Sequence, residues 1–501
     1  MSMNLAATIH VGASSVSMLI LGDGQEVIDY LEKPAPLAHD IFGTGTIRLD
    51  TIERITKIIL GFREVLAEMD AIETPVRAVG FNSLSEAVNV EAFRNRLLIA
   101  CGLNLETLDD GEMTRLVFLK TRRRLHDTPS MRKRTTIVAH VGPGNTRLLL
   151  FQAGKVIRYH SYRLGTHRTS ESLKQPDLLG EPGLRLIREH ITPVLAQIRF
   201  DFRHDEIQDI VIIGQEIQLL SPYLSRPKRT KSSVETLRQL AQEVASVPET
   251  GRVNNYGLDY PTAAAIVPSL AINLALAEVF EVTSVRVSQS DYQHGLLSDL
   301  AQHSELATDY HDEVINSAKI LASRYQADPK HANHVTSLSL RLFDETQDLH
   351  QLNGHDRFLL EIAGILHEVG NFITSLKHEE HSQYIVRQSE IFGLNYHDKA
   401  IVALITRYHR GPSPKPAHAY YKDLDQADRL RVSKLASLLR VADALERTHS
   451  QRIKDFGTTI SGGVFRIQVD GLSDATAERL ALRSKGRLFT ELFGLQLALT
   501  E

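Results

Sequence analysis

Two glycine-bearing turns hold residue types suited to gripping a phosphate: His10-Val11-Gly12-Ala13-Ser14-Ser15 and His140-Val141-Gly142-Pro143-Gly144-Asn145-Thr146. Backbone N–H groups around Gly12, Gly142 and Gly144, with the hydroxyls of Ser15 and Thr146, can cradle phosphate oxygens without a metal. Arg168 adds a guanidinium, whose planar fork matches phosphate oxygens in pairs. Histidine forms the second concentration of chemistry. Of 22 histidines, 13 lie between His303 and His449, and imidazole serves as metal ligand and proton carrier near neutral pH. Their clustering marks a separate module.

Each glycine turn follows one apolar run and precedes another, Val16 to Leu21 and Leu148 to Phe151. That pattern predicts strand, tight turn and returning strand, twice over, and therefore two similar lobes. Residues 1–134 alternate short apolar strands with helical stretches, as in Val76 to Phe81 followed by Ser85 to Leu98. An exposed, charged connector is expected from Thr121 to Arg134. The second lobe, residues 135–303, then reads as a hairpin at Gln152 to Lys155, a helix from Leu184 to Arg199 and a strand from Asp209 to Ile213 ending at Gly214. From 304 to 450 helical periodicity replaces strand signals, as in Val335-Leu338-Leu342 and Leu435-Leu438-Leu439-Ala442. Ser461-Gly462-Gly463 before the alternating run Val464 to Val469 predicts a small α+β cap over residues 451–501. The fold class expected is α/β followed by α.

Composition places the chain among ordinary globular proteins, with 501 residues, 42% hydrophobic, 24% charged and a net charge of -4. The single cysteine, Cys101, excludes an intramolecular disulfide framework. With no cationic-apolar leader and no apolar run of spanning length read from the sequence, a cytoplasmic protein without membrane or nucleic-acid partners is expected. Two basic clusters break the neutral average, Arg122 to Arg124 with Arg132 to Arg134, and Arg226 to Lys231. They read either as solvated loops or as guides for a polyanion.

The first 300 residues resemble the exopolyphosphatase/guanosine pentaphosphate phosphatase family. The resemblance is carried by the two glycine turns and by Val76-Arg77-Ala78-Val79-Gly80 leading to Glu86-Ala87-Val88-Asn89. It continues through Asp110-Gly111-Glu112-Met113-Thr114-Arg115-Leu116, Leu164-Gly165-Thr166-His167-Arg168 and Ile266-Val267-Pro268-Ser269-Leu270-Ala271-Ile272. It implies two lobes of the actin-like, sugar-kinase-like ATPase fold, Glu112 as the carboxylate that activates water, a magnesium or manganese cofactor, polyphosphate or a guanosine polyphosphate as ligand, and a homodimer. Against the family pattern, His10 and His140 stand where aspartates are usual, and Arg147 stands for a glutamate. Ser85 and Thr262 stand for arginines, Gln215 for a glycine, and Gln293-His294-Gly295 for Arg-Glu-Gly. Imidazole is a poor substitute for the hard oxygen ligands that magnesium prefers. Metal binding in that cleft is therefore expected to be weakened.

The C-terminal half resembles the HD-type helical domain of longer family members through His331-Ala332-Asn333-His334, His367-Glu368, Arg407-Tyr408-His409-Arg410 and Arg440-Val441-Ala442-Asp443. That resemblance implies a metal held by His331, His367, Glu368 and Asp443, with His378, His381 and His409 as extra ligands. The mixed imidazole and carboxylate set suits manganese, iron or zinc. Three readings follow. The first is a phosphoanhydride hydrolase that uses Glu112 to release terminal phosphate from polyphosphate or a guanosine pentaphosphate-like nucleotide. The second is a non-catalytic sensor of the same ligands. The third is a metal-dependent phosphohydrolase that works through the helical module.

Overall fold

The computed structural model describes residues 5–22, 26–69, 74, 76–125, 133–173, 179–224, 231–287, 308–469, 471 and 474–500. The chain divides into two compact units, Met1–Ala307 and Thr308–Glu501.

In the first unit, β1 (Ala6–Val11), β2 (Ser15–Leu21), β3 (Val27–Pro34), β4 (Val76–Gly80) and β5 (Leu105–Thr107) form a sheet of order β3-β2-β1-β4-β5. β1 runs antiparallel to β2 and parallel to β4. A second sheet of order β10-β11-β9-β6-β7-β8 is built from β6 (Thr136–Val141), β7 (Thr146–Gln152), β8 (Lys155–Tyr162), β9 (Asp209–Ile213), β10 (Lys231–Ser233) and β11 (Ser284–Val287). Read from β8, it repeats the first sheet's order and adds an edge strand. β2, β6 and β9 are buried along their whole length, because their near-continuous Val, Ile and Leu runs face core on both sides. The two glycine turns occupy equivalent places, linking β1 to β2 and β6 to β7.

The helices that matter for the cleft are α1 (Leu37–Thr44), α2 (Asp110–Leu125), α3 (Thr166–Leu173) and α4 (Tyr260–Val279). By length and composition α4 could cross a membrane, but 78% of its most apolar stretch is buried inside the protein. It packs as a core helix of the second lobe. The helix expected from Ser85 to Leu98 instead forms a 3-10 segment, Asn82–Glu86, and a separate helix, Val90–Cys101. Asn89 explains the break. Its side chain exchanges two hydrogen bonds of 2.9 Å with the backbone of Ile47, pinning the chain just before the second segment. α2 also runs to Leu125, into the stretch expected to be connector. The hairpin at Gln152 to Lys155 forms as expected, with Ala153 and Gly154 both at positive φ. The side chains of Arg122, Arg123 and Arg124, together with Arg132, residues 226–230, Gln293-His294-Gly295 and His303, lie outside the described residues.

The second unit opens with α5 (Thr308–Arg324), α6 (Pro329–Glu345), α7 (Gly354–Leu366), α8 (His378–Gln388), α9 (Tyr396–Tyr408) and α10 (Gln426–Leu445). α10 is buried almost all round from Val432 to Leu445 and packs against α6, α7 and α9. The C-terminal residues add β12 (Gly457–Ser461), β13 (Val464–Gln468), α11 (Thr476–Lys485), α12 (Arg487–Phe493) and β14 (Gln496–Thr500). Gly462 and Gly463, both at positive φ, make the tight turn between β12 and β13. α11 and α12 form the crossover to the parallel partner β14 and pack on α10.

Candidate functional site

The interlobe cleft differs from the expected phosphate cradle. The N–H of Gly12 donates to Ser15 O at 2.8 Å and that of Gly142 to Asn145 O at 3.0 Å, so each turn uses these donors on itself. The Ser15 hydroxyl donates to Glu32 Oε1 at 2.6 Å, and the buried Thr146 hydroxyl to Leu164 O at 2.7 Å. Both hydroxyl protons are thus engaged within the protein. At Gly144 a side-chain carbon would stand 2.3 Å from Ser83 Oγ and 2.8 Å from the Phe42 ring, so the turn lies against the first lobe where a phosphate was expected.

The charged groups of the cleft are also spoken for. Arg147, 1% exposed, donates to Asp110 Oδ1 at 2.5 Å while Tyr159 donates to Oδ2 at 2.5 Å. Burial raises the Asp110 carboxyl, but Arg147 and the hydrogen bonds outweigh it and hold the group below its ordinary value. Arg168 donates to Gly144 O at 2.8 Å and Glu86 Oε1 at 2.6 Å, and Arg163 meets Glu86 Oε2 at 2.6 Å. Burial pushes the His10 imidazole down to about 4, leaving it neutral at pH 7. Glu112 is bound at both oxygens by Arg115, at 2.8 and 2.6 Å, within its own helix. A cavity of about 380 Å³ beside these groups is lined by Glu86, Asp109 and Asp110, with Asn82, Asn145 and Ser161. Its carboxylates suit a polyanion poorly.

In the helical unit the donors converge. One ligand atom from each of His331, His367 and Asp443 lies within 4.8 Å of the others, and all three residues are buried. A second group, His331, Glu368 and His449, meets the same limit. His331 comes from the first turn of α6, whose N-cap is Asp328, His367 caps the C-terminus of α7, and Asp443 sits in the last turn of α10. His331 Nε2 stands 3.8 Å from Glu368 Oε1 and 3.9 Å from Asp443 Oδ1, too far for hydrogen bonds. Among the described residues, both ring nitrogens of His331, and Nε2 of His367, are buried without a hydrogen-bond partner. His367 places its Nδ1 2.7 Å from Gly364 O, which fixes the tautomer with a proton on Nδ1 and a lone pair on Nε2. An unpaired buried polar atom costs about 1–3 kcal/mol. A bound divalent metal removes that cost, so these residues fit one.

The surrounding residues extend the arrangement. Burial, with His367 nearby, pushes the His331 imidazole down to about 4, and burial lowers His378 and His409 as well. Neutral imidazole is the form that binds metal. His409 puts Nδ1 2.6 Å from Thr406 O, and its Nε2 lies 3.2 Å from His378 Nε2. Arg410 Nη1 stands 3.3 Å from His378 Nδ1. His409, protonated on Nδ1, accepts at Nε2 from His378, whose Nδ1 faces both Arg410 and, at 3.4 Å, Ser375 O. Lys485 ion-pairs with Asp443 Oδ2. Burial raises the Asp443 carboxyl, but Lys485, His409 and His367 outweigh it and hold the group well below the usual carboxylate range.

Comparison with known proteins matches both units. The profile of the Ppx/GppA phosphatase family covers residues 35–304, and that of Ppx/GppA phosphatase, domain III, covers residues 315–478. The chain belongs to the Ppx/GppA phosphatase family. It is 22% identical over 439 residues to the guanosine-5'-triphosphate,3'-diphosphate pyrophosphatase of Aliivibrio fischeri, covering 86% of each chain. To the enzyme of the same name from Photobacterium profundum it is 21% identical over 466 residues, covering 89% of this chain and 88% of that one. The solved structure of an exopolyphosphatase from Cytophaga hutchinsonii superposes with a TM-score of 0.51 at 14% identity, covering 60% of this chain and 99% of the other. The paired sheets of matching strand order carry the fold likeness to that exopolyphosphatase.

Within that family frame, the expected site residues sort unevenly. His331, His367 and Asp443 come together, and Glu368 joins through His331. His378 and His409 lie beside them, engaged with one another, while His381, half-buried on α8, is in neither ligand group among the described residues. Two residues escaped sequence reasoning. His449 stacks on His331 with ring centroids 3.7 Å apart. Its only signal was its place at the end of the histidine-rich span. Lys485 belongs to no motif and arrives through the C-terminal crossover.

Proposed function

We propose that this Ppx/GppA protein is a metal-dependent phosphohydrolase whose working centre is the HD-type arrangement of the helical unit, releasing terminal phosphate from a polyphosphate or guanosine polyphosphate. The observation that carries this reading is the convergence of His331 and of His367 Nε2, buried without hydrogen-bond partners among the described residues, on the Asp443 carboxylate. The names of the relatives motivate the substrate class. His331 and His367 would hold the ion through nitrogen, and Asp443 and Glu368 through oxygen. When bound, manganese, iron or zinc lowers the pKa of water and polarises a phosphoryl oxygen.

The chain's own groups supply the remainder. Arg410, 44% exposed at its side chain with its Nε 3.6 Å from Glu379 Oε2, presents its outer guanidinium nitrogens beside His378, and these suit phosphate oxygens. The pair His378 and His409 can pass a proton between Nε2 atoms and so serve the leaving group. The test is phosphate release from long-chain polyphosphate and from guanosine pentaphosphate by chelator-treated protein resupplied with magnesium, manganese or zinc. Release that disappears in His367→Ala is expected. Equal release by that variant would rule the reading out.

A second reading keeps the first unit as a sensor. A cavity of about 590 Å³, lined by Leu173, Ile187, Tyr260, His39, Glu171 and Arg252 among others, combines apolar walls with a few polar groups. Its size and lining suit a nucleoside. Saturable guanosine-nucleotide binding without turnover by either unit would favour it.

A further inference from the structure

One carboxylate of the proposed metal centre is already engaged by the chain itself. Lys485, at the C-terminus of α11, sets its ammonium on Asp443 Oδ2, while Oδ1 lies 3.9 Å from His331 Nε2. Arg440, buried on α10 close to Asp443, grips the lysine's backbone, its Nε donating to Lys485 O at 3.1 Å. The same guanidinium donates to Tyr408 O at 3.2 Å and Gly411 O at 2.7 Å. One helix thus carries the carboxylate and anchors the ammonium paired with it. The side chains are 18% and 9% exposed, so solvent screens the pair far less than it would a surface bridge.

A fixed ammonium on a ligand carboxylate has two effects. It holds the carboxylate ionised and aimed when no metal is bound. It also opposes an arriving divalent cation, because like charges a few ångströms apart repel strongly where water is scarce. The repulsion is similar for every divalent ion, whereas the loss of donor strength at Asp443 is not. Ions that depend on carboxylate oxygen, magnesium above all, lose most, and ions well served by imidazole lose least.

Resting on the metal-centre reading, we infer that Lys485 is the metal-selectivity residue of this site, a resident cation that weakens Asp443 as a donor and biases the centre away from magnesium and manganese toward zinc. The C-terminal α/β segment thereby becomes part of the centre. A metal that binds draws Asp443 away from the ammonium.

The test titrates chelator-treated full-length protein with manganese and with zinc by calorimetry, comparing wild type, Lys485→Met, Lys485→Arg and His331→Ala. Lys485→Met keeps the aliphatic stem and the carbonyl that Arg440 holds. It should bind both ions tighter, because the common repulsion is gone, with manganese gaining about tenfold more than zinc and Lys485→Arg close to wild type. Manganese gaining no more than zinc in Lys485→Met, with His331→Ala still abolishing binding, overturns the selectivity role of Lys485 and leaves the metal centre standing. Binding unaffected by His331→Ala, or no binding in any variant, overturns the centre itself and Lys485's role with it. A second readout needs no variant. Acylation of Lys485 in the wild-type protein, followed by mass spectrometry, should be slow without metal and faster at saturating manganese, and an unchanged rate contradicts the competition.

Discussion

In the interlobe cleft Arg147, Arg168 and Arg163 each end on a carboxylate of the other lobe, whereas in the helical unit His331 and the Nε2 of His367 end on no hydrogen-bond partner among the described residues. Both regions are built from charged or ligating side chains. The difference lies in whether those groups satisfy one another. A carboxylate-rich cleft has become a set of bridges joining the lobes, with Arg147 standing where the family resemblance expects a glutamate and Asp110 supplying its counter-charge. The helical unit leaves buried imidazole nitrogens of His331 and His367 without hydrogen-bond partners among the described residues, a cost that the proposed metal would relieve. Residue types alone put the cleft first; the state of their partners favours the helical unit.

That contrast can be broken first by activity. Asp443→Asn should lower phosphate release more than about a hundredfold by removing an oxygen donor and its charge, and Glu112→Gln should stay within about twofold of wild type. Steady-state kinetics with saturating manganese would check both, and the reverse ranking would return the chemistry to the cleft. A smaller effect concerns stability. Arg147→Ala leaves Asp110 and Tyr159 without their cation and should destabilise the first unit by roughly 2–3 kcal/mol, less than a fully buried pair because Asp110 is partly exposed. Denaturant unfolding would measure it, and no change would mean that the bridge is ornamental.

A comparable effect, spread over a range of pH, is a titration slope. Glu216 is 3% exposed, accepts from Thr166 Oγ1 at 2.9 Å, and is pushed by burial from 4.5 up to about 7. Between those values the folded chain binds the proton more tightly than the unfolded chain. Stability therefore falls as pH rises through that window, by up to roughly 3 kcal/mol. Glu216→Gln should flatten that slope in melts at pH 5 and pH 8. A slope unchanged by the substitution would place its origin elsewhere.

Much of the fold was legible because local rules sufficed. The glycine turns, the Ala153-Gly154 hairpin and the Gly462-Gly463 turn each announce a strand reversal, and the doubled lobe follows from the repeat. The break at Asn89 was not, since it depends on a hydrogen-bond exchange with Ile47 far away in sequence. The same holds at the sites. His331, His367 and Asp443 sit in motifs whose helical context places them, while Ser15 and Thr146 looked like phosphate ligands until Glu32 and Leu164 O claimed their hydroxyls. A hydroxyl's type is visible in sequence and its partner is not. Lys485 and His449 were invisible for the same reason, being brought in by tertiary packing.

Metal stoichiometry tests the central claim most directly. Chelator-treated protein resupplied with zinc or manganese and passed through a desalting column should retain metal in wild type, Glu112→Ala and Arg147→Ala, and lose it in His331→Ala and His367→Ala. Metal retained by both histidine variants but lost with Glu112 would contradict the account and put the working site back between the lobes.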